Sequence, residues 1–331
     1  MLARTMAPVT ALLLVGACVG DEPSAPVETL PDGGVEAGSP EASALPDAAA
    51  DAADTADAAM PRCDPNKPFG APALVSGLST ADDDSTARLS ADELTVFFAR
   101  GVAGAGVPDI YTATRASRDA GWGVATMVSG VSSAGPDFSP MVTDDGLTLF
   151  LTSSATGTRG GSDIFLSSRP NQLSDFGTPA SLGPSGVINT SLPEADPYIL
   201  PDGKTVWFDV YTGVGDTEIY RATAGAAGFT MRQKVLGVGS PLVDAYPVIT
   251  LDERTLYFAS DRADTDALGD LDLYVATRAA ATGPFDPPRI LKVLNSSNPE
   301  FPTWISRDEC VLYLSRRVSG AYDIYKAERP R

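Results

Sequence analysis

Short apolar runs alternate with polar turns along residues 69–331, and the same order of runs returns five times. Each unit offers four runs of strand length, bounded by Gly, Pro, Asp or Ser, and no ten-residue stretch has helical periodicity. In the second unit, strands are predicted at 122–128, 138–143, 147–153 and 163–168. Four antiparallel strands per repeat are typical of a propeller blade. The pattern therefore predicts an all-β fold, a five-bladed β-propeller of four-stranded antiparallel blades.

Three markers repeat with a period of roughly 54 residues. The first is an acid, an aliphatic and an aromatic residue in a row, with the aliphatic at Ile110, Ile164, Ile219, Leu273 and Ile324. The second is an aspartate that opens a turn before an apolar run: Asp92, Asp145, Asp202, Asp252 and Asp308. The third is an aromatic that opens each unit: Phe69, Trp122, Phe176, Phe229 and Phe285. Since the markers agree, the repeats are predicted at 69–121, 122–175, 176–228, 229–284 and 285–331.

The ring is expected to be out of phase with the repeat, because each unit begins with an outer strand. Residues 70–78 are then predicted to complete the last blade, whose inner strands are 301–307, 311–316 and 323–328. Cys63 precedes that outer strand and Cys310 lies at the turn between the two innermost strands, so both fall on one face of the ring. We expect a Cys63–Cys310 disulfide at the closure, which an oxidising compartment permits. The alternative is two unrelated thiols.

Residues 1–17 are predicted to be a signal peptide, with Arg4 before an apolar stretch that is shorter than the roughly 20 residues of a membrane span. The run from Val15 to Cys18 resembles the bacterial lipobox, which implies that Cys18 carries lipid. An ordinary secretory signal is the alternative. Residues 18–68 are predicted to form a disordered Asp/Ala/Pro-rich tether, since positions 19–61 hold ten acids and no base. The expected location is the bacterial cell envelope, lipid-anchored, with the outer membrane favoured.

The amino-acid composition excludes several kinds of catalytic and binding site. The chain of 331 residues has 43 acids, 24 Lys and Arg, a formal charge of −19 and no histidine. A Ser-His-Asp or Cys-His nucleophile and a His-ligated zinc are therefore excluded. The acidic balance argues against binding nucleic acid, which depends on Lys and Arg neutralising phosphates.

The repeats resemble the TolB-like, WD40-like β-propeller family of bacterial envelope proteins. The resemblance rests on the run from Ile188 through Glu194 to Phe208, on its partial copy from Leu294 to Leu314, and on the run from Tyr257 to Arg262. It covers residues 69–329 and implies a fold more than a function, because these motif residues shape turns and blades. Three of the five turns have Asp-Glu in place of Asp-Gly, so a residue other than glycine, or another turn type, must supply the left-handed conformation there.

An acid begins the innermost strand of every blade, eight residues before each turn aspartate. These five residues are expected at one mouth of the central channel, as a possible cation or basic-ligand site: Asp84, Asp137, Glu194, Asp244 and Glu300. Oxygen ligands suit Ca²⁺, and no other cofactor is expected. The alternative interpretation is that each acid caps a backbone turn or pairs with an arginine, which its recurrence in all blades favours.

The sequence predicts a lipid-anchored monomer whose propeller is a non-catalytic protein-binding or scaffolding platform. No catalytic residues are predicted. Its expected partner is an unidentified envelope protein or cell-wall component. One alternative is a glycosidase of the five-bladed type, which uses channel carboxylates and needs no histidine. Against it, the channel acids recur in all repeats and no blade shows a distinct extra pair. The other alternative is a peptidoglycan-associated envelope assembly component.

Overall fold

A computed structural model describes residues 61–101, 107–155, 157–183, 186–213 and 215–331. Cys18, the signal peptide and the tether up to residue 60 lie outside the described residues. Among those described, no helix is long and apolar enough to cross a membrane.

The structure confirms a five-bladed β-propeller, with five antiparallel sheets of four strands each. Blade 1 contains β2 (Asp83–Leu89), β3 (Thr95–Gly101), β4 (Asp109–Thr114) and β5 (Thr126–Met127). Blade 2 contains β6 (Asp137–Val142), β7 (Thr148–Ser153), β8 (Asp163–Ser168) and β9 (Ala180–Ser181). Blade 3 contains β10 (Glu194–Ile199), β11 (Thr205–Tyr211), β12 (Thr217–Gly225) and β13 (Gly228–Lys234). Blade 4 contains β14 (Asp244–Ile249), β15 (Thr255–Ser260), β16 (Asp272–Thr277) and β17 (Arg289–Ile290), followed by a 3-10 turn at Lys292–Leu294.

Blade 5 joins the two ends of the propeller. It contains β18 (Glu300–Ile305), β19 (Val311–Val318), β20 (Ala321–Glu328) and the outer strand β1 (Ala73–Leu74). A disulfide joins Cys63 and Cys310, whose Cα atoms are 5.6 Å apart. Residues 61–68 also reach this blade, because the Asp64 N–H donates to the Pro330 carbonyl.

The ring has two ends with different loops. We call the end that bears the tight turn between the first two strands of each blade the turn end: residues 90–94, 143–147, 200–204, 250–254 and 306–310. We call the opposite end the loop end, where the connections into each innermost strand lie: residues 79–82, 129–136, 186–193, 235–243 and 295–299. The apolar faces of the blades pack on one another, so the core includes the buried Phe98, Trp207, Phe208, Phe258 and Leu314.

Candidate functional site

The five acids that begin the innermost strands are buried and hold the loops before them. Each side chain is 0% exposed. Each also accepts the backbone N–H of the residue four positions earlier, from Thr80 at 2.7 Å in blade 1 to Ser296 at 3.2 Å in blade 5. These hydrogen bonds close the connections at the loop end. This geometry agrees with the interpretation in which each acid caps a backbone turn.

Four of the five acids also pair with arginine. The ion pairs are Asp84–Arg100, Glu194–Arg232, Asp244–Arg262 and Glu300–Arg316. Each arginine stacks on the aromatic residue of the acid-aliphatic-aromatic motif, as Arg232 does over Tyr220 at 4.9 Å. Blade 2 differs, because one carboxylate oxygen of Asp137 has no hydrogen-bond partner among the described residues. Within those same residues, no group of three acidic or cysteine side chains is arranged to hold a metal ion.

A second set of residues, two positions after these acids, forms hydrogen bonds between neighbouring blades. Four of them have left-handed backbones with φ between 52° and 56°, at a bulge in the innermost strand: Thr86, Ser139, Asp196 and Tyr246. Their N–H groups donate to the neighbouring blade, as Thr86 does to the Ser315 hydroxyl at 3.0 Å and Asp196 to the Thr152 hydroxyl at 3.0 Å. Blade 5 has Pro302 at this position, and proline has no N–H to satisfy.

Blade 3 breaks the symmetry of the ring with two additional acids, Asp196 and Asp209. Where Asp209 stands in the second strand, the other blades have alanine or a hydroxyl residue: Ala99, Thr152, Ala259 and Ser315. Both aspartates are 4% exposed, and their carboxyl groups hydrogen-bond to each other. The Ser139 hydroxyl donates to Asp196, and the Tyr246 N–H donates to Asp209 at 2.9 Å.

Burial and mutual contact favour a proton shared between the two carboxyl groups. Burial raises the pKa of Asp209 well above its usual range, and the charge of Asp196 raises it further. Burial also raises the pKa of Asp196. Two carboxylates in contact cannot both ionise at low cost, so one holds the proton at neutral pH. One member of the pair is therefore a carboxylic acid, and the other is a carboxylate that can act as a base.

Arg88 crosses the channel next to this pair. Its side chain is 2% exposed and donates to backbone carbonyls of three other blades, at Thr303 (3.1 Å), Ser139 (3.5 Å) and Pro197. Burial lowers the pKa of Arg88 to about 10, so it remains charged at neutral pH. The positive charge of Arg88 lowers the pKa of both aspartates and so opposes the effect of burial.

An aromatic stack lies beside the pair. The half-buried Tyr246 lies parallel to Phe301 with ring centroids 4.0 Å apart, and Phe301 contacts Tyr322 at 5.1 Å. Burial raises the pKa of the Tyr246 phenol, and the charges of Asp196 and Asp209 raise it further. The half-buried Asp83 accepts the Tyr322 N–H at 3.1 Å, which brings another carboxylate to the loop end. Burial raises the pKa of Asp83 as well.

The opposite mouth of the channel has a different character. An ion pair between Arg307 of blade 5 and Asp144 of blade 2 crosses it, over a small cavity lined by Met141, Tyr198 and Trp304. The acid pair and the aromatic stack beside it therefore make the loop end the candidate active site. Sequence reasoning missed this pair, because it compared the first acid of each innermost strand and not the residue two positions later. Aligning the five second strands would have revealed Asp209 as the one acid at its position.

Comparisons with known proteins identify the fold. No family model matches the sequence, and no curated protein sequence matches it. A putative glycoside hydrolase from Parabacteroides distasonis is similar in structure at TM-score 0.53, with 10% identity over 80% of this chain and 97% of that chain. An α-L-arabinofuranosidase from Podospora anserina has a TM-score of 0.51 and 11% identity over 80% of this chain and 98% of that chain. TolB from Acinetobacter baumannii has a TM-score of 0.43 and 14% identity over 76% of this chain and 56% of that chain.

The expectation of a non-catalytic binding or scaffolding platform, and of a chain that is not an enzyme, is wrong. Four of the similar solved structures with a TM-score above 0.5 are named as glycoside hydrolases or as an arabinofuranosidase, which favours the enzyme alternative over the platform. The sequence argument against that alternative was that no blade has a distinct extra pair of acids. Blade 3 has one, in Asp196 and Asp209.

Proposed function

We propose that the protein is a glycoside hydrolase whose active centre lies at the loop end of the channel. The observation that carries the proposal is the buried, proton-sharing pair Asp196 and Asp209, which only one of the five blades has. Glycoside hydrolysis needs a carboxylic acid with a raised pKa, a second carboxylate and no histidine. The fold shared with glycoside hydrolases supports the proposal by analogy.

Asp209 is the proton donor in this proposal. Its proton passes to the glycosidic oxygen as the carbon–oxygen bond to the leaving group breaks, and Arg88 stabilises the negative charge left on the pair. The Tyr246 ring offers an apolar surface for the carbon face of a sugar, as aromatic side chains do elsewhere.

The second carboxylate of the reaction is assigned to Asp83. Catalytic carboxyl groups in glycosidases stand about 5–5.5 Å apart in retaining enzymes and about 6.5–9.5 Å apart in inverting ones. Asp196 and Asp209 are in direct contact, so they act together as one acid and cannot flank the bond. Asp83 takes a proton from the attacking water as the new carbon–oxygen bond forms.

The test is hydrolysis of arabinan, xylan and galactan oligosaccharides by the full chain. We expect Asp209→Asn to lower kcat/KM by about 100-fold or more, because general acid catalysis contributes about that much. Asp83→Asn should have a comparable effect. Asp144→Asn, at the opposite mouth, is the matched control and should keep full activity. Absence of hydrolysis on all three substrate classes, or full activity of Asp209→Asn, would contradict the proposal.

The pH profile gives an independent measurement. Activity should fall as the pH rises through the raised pKa of the pair, because the donor must be protonated. In Asp196→Asn the neighbouring charge is removed, so the alkaline limb should move to lower pH. An alkaline limb that stays in place would show that the pair is not the proton donor.

A further inference from the structure

A second cleft lies on the turn end of the ring, where blade 5 meets blade 1. We call it the seam cleft. It has a volume of about 690 Å³. Six bases and three acids line it, and the bases are Arg62, Arg115, Arg118, Lys326, Arg329 and Arg331. This excess of bases is unusual for a chain in which acids outnumber bases by 43 to 24.

The positive charge of the seam cleft is only partly neutralised by protein groups. Three guanidinium groups surround Glu93, with Arg62 at 2.8 Å and Arg115 and Arg118 each at 3.8 Å. Arg62 also contacts Asp308 at 2.8 Å. The side chain of Arg118 is 50% exposed, and its Nε donates to the Asp92 carbonyl at 3.3 Å. Guanidinium groups gathered in this way attract an anion, and they match a carboxylate or phosphate in geometry.

The repeat symmetry shows that this concentration of arginine is particular to one blade. In blade 4 the equivalent turn glutamate, Glu253, has Arg221 at 2.6 Å and Arg278 at 3.9 Å. Arg278 and Arg115 are repeat positions, each over an aromatic ring. Arg62 and Arg118 are additions at the seam, and Arg62 comes from the segment before the first blade. Turn structure in the repeat therefore does not account for them.

Trp122 gives the seam cleft an aromatic wall. Its ring stacks on the Arg115 guanidinium at 4.5 Å and is half-buried. The exposed side chain of Leu74 lies in the same lining. Arginines beside apolar surface suit a ligand with a charged group and a carbon skeleton.

We propose that the seam cleft binds a small anionic sugar, with a carboxylate or a phosphate as the charged group. The site is separate from the acid pair, which lies at the opposite end of the ring. It does not depend on the proposed hydrolase activity.

Tryptophan emission of the full chain tests this proposal. Of the three tryptophans, Trp207 and Trp304 are 0% and 5% exposed, so a ligand in the seam cleft should change the emission of Trp122. Glucuronate and glucose 6-phosphate are the anionic probes, and glucose is the neutral one. We expect a saturable change with at least one anionic probe and none with glucose, and which anion responds identifies the charged group.

Variants make the result specific. Arg118→Ala should weaken binding by about tenfold or more, the size of effect that follows loss of a charge-assisted hydrogen bond. Arg254→Ala removes an exposed arginine at the turn end of blade 4 and should leave binding unchanged. Trp122→Phe should abolish the emission change while calorimetry still detects binding. An equal response to glucose, no saturable response to either anion, or equal weakening by Arg254→Ala would overturn the proposal.

Discussion

Individual residues take unusual backbone conformations in the turns of this ring. In all five turns the aspartate side chain accepts the N–H two positions later, at 2.8 to 3.1 Å. The residue between is left-handed whether it is Gly146 or Gly203, at φ 70° and 64°, or Glu93, Glu253 or Glu309, at φ 65°, 56° and 58°. The five blades thus keep one turn type, whether glycine or glutamate occupies the left-handed position. A left-handed conformation costs a residue with a Cβ atom about 1–2 kcal/mol.

Replacing these glutamates with glycine should affect stability according to the partners that they lose. Glu309 is half-buried, and burial raises its pKa, so its charge adds to the cost of the backbone at neutral pH. We expect Glu309→Gly to raise the free energy of unfolding by about 1 kcal/mol. Glu253→Gly has the same backbone gain but loses the pair with Arg221 at 2.6 Å, so its net change should be close to zero. Urea denaturation at pH 7 measures both, and a destabilised Glu309→Gly would contradict the argument.

At the scale of the strands, blades are joined by hydrogen bonds from the bulge residues. A side chain of one blade accepts the N–H of the next blade's bulge residue. The acceptor lies in the second strand for Ser315, Thr152 and Asp209, and in the innermost strand for Thr86, which accepts the Ser139 N–H at 3.1 Å. Between blades 4 and 5 both groups are missing together, since Ala259 has no acceptor and Pro302 has no N–H. Acceptor and donor are therefore matched from blade to blade.

Removing one acceptor should destabilise the ring. Ser315→Ala leaves the buried N–H of Thr86 without its hydroxyl partner, and an unsatisfied buried group costs about 1–3 kcal/mol. Ser167→Ala is the matched control, because the Ser167 hydroxyl only donates to the carbonyl of the exposed Gly177, which water can reach. Its cost should be smaller, at about 1 kcal/mol or less. Equal losses in chemical denaturation would show that the contact between blades has no special role.

The inner strands were predictable from the sequence, whereas the outer strand predicted at 122–128 is observed only at Thr126–Met127. In the second unit, 138–143, 147–153 and 163–168 were predicted, and Asp137–Val142, Thr148–Ser153 and Asp163–Ser168 are observed. Alternation along a strand and the turn aspartates are local signals, so they can be recognised in a single sequence. The partnership of Asp196 with Asp209 joins two strands through a bulge, and a periodic pattern does not show a bulge. For that reason the positions of the recurrent acids could be predicted, and the acid pair could not.

At the scale of the whole molecule, the ring closes through a short strand and a disulfide. The outer strand β1 pairs with β20 at Ala73 and Leu74, and the N–H groups of Gly70 and Val75 donate to β20 carbonyls at 2.8 and 2.9 Å. Cys63 and Cys310 link positions 247 residues apart. Arg329 adds to this closure by donating to the Pro65 and Lys67 carbonyls. The covalent bond therefore adds to a closure that hydrogen bonds also hold.

Reduction should destabilise the protein strongly. Breaking the disulfide opens this long loop and so removes a restraint on the unfolded chain. That restraint contributes about 3–5 kcal/mol to the free energy of unfolding. We expect the urea midpoint to fall when a reductant is added, and the Cys63→Ser, Cys310→Ser double variant to have the lower midpoint with or without it. An unchanged midpoint on complete reduction would contradict this account.

The position of the disulfide also decides how the ring responds to force. A pull on the chain from before residue 61 reaches the ion pairs of Arg62 and then the disulfide at Cys63, and there the load divides. The covalent branch transfers it to Cys310 between β18 and β19, the two innermost strands of blade 5. The two-residue strand β1 is thereby shielded from being peeled off the edge of its sheet. Tension from this side therefore acts on the inner strands of blade 5 as well as on the outer strand.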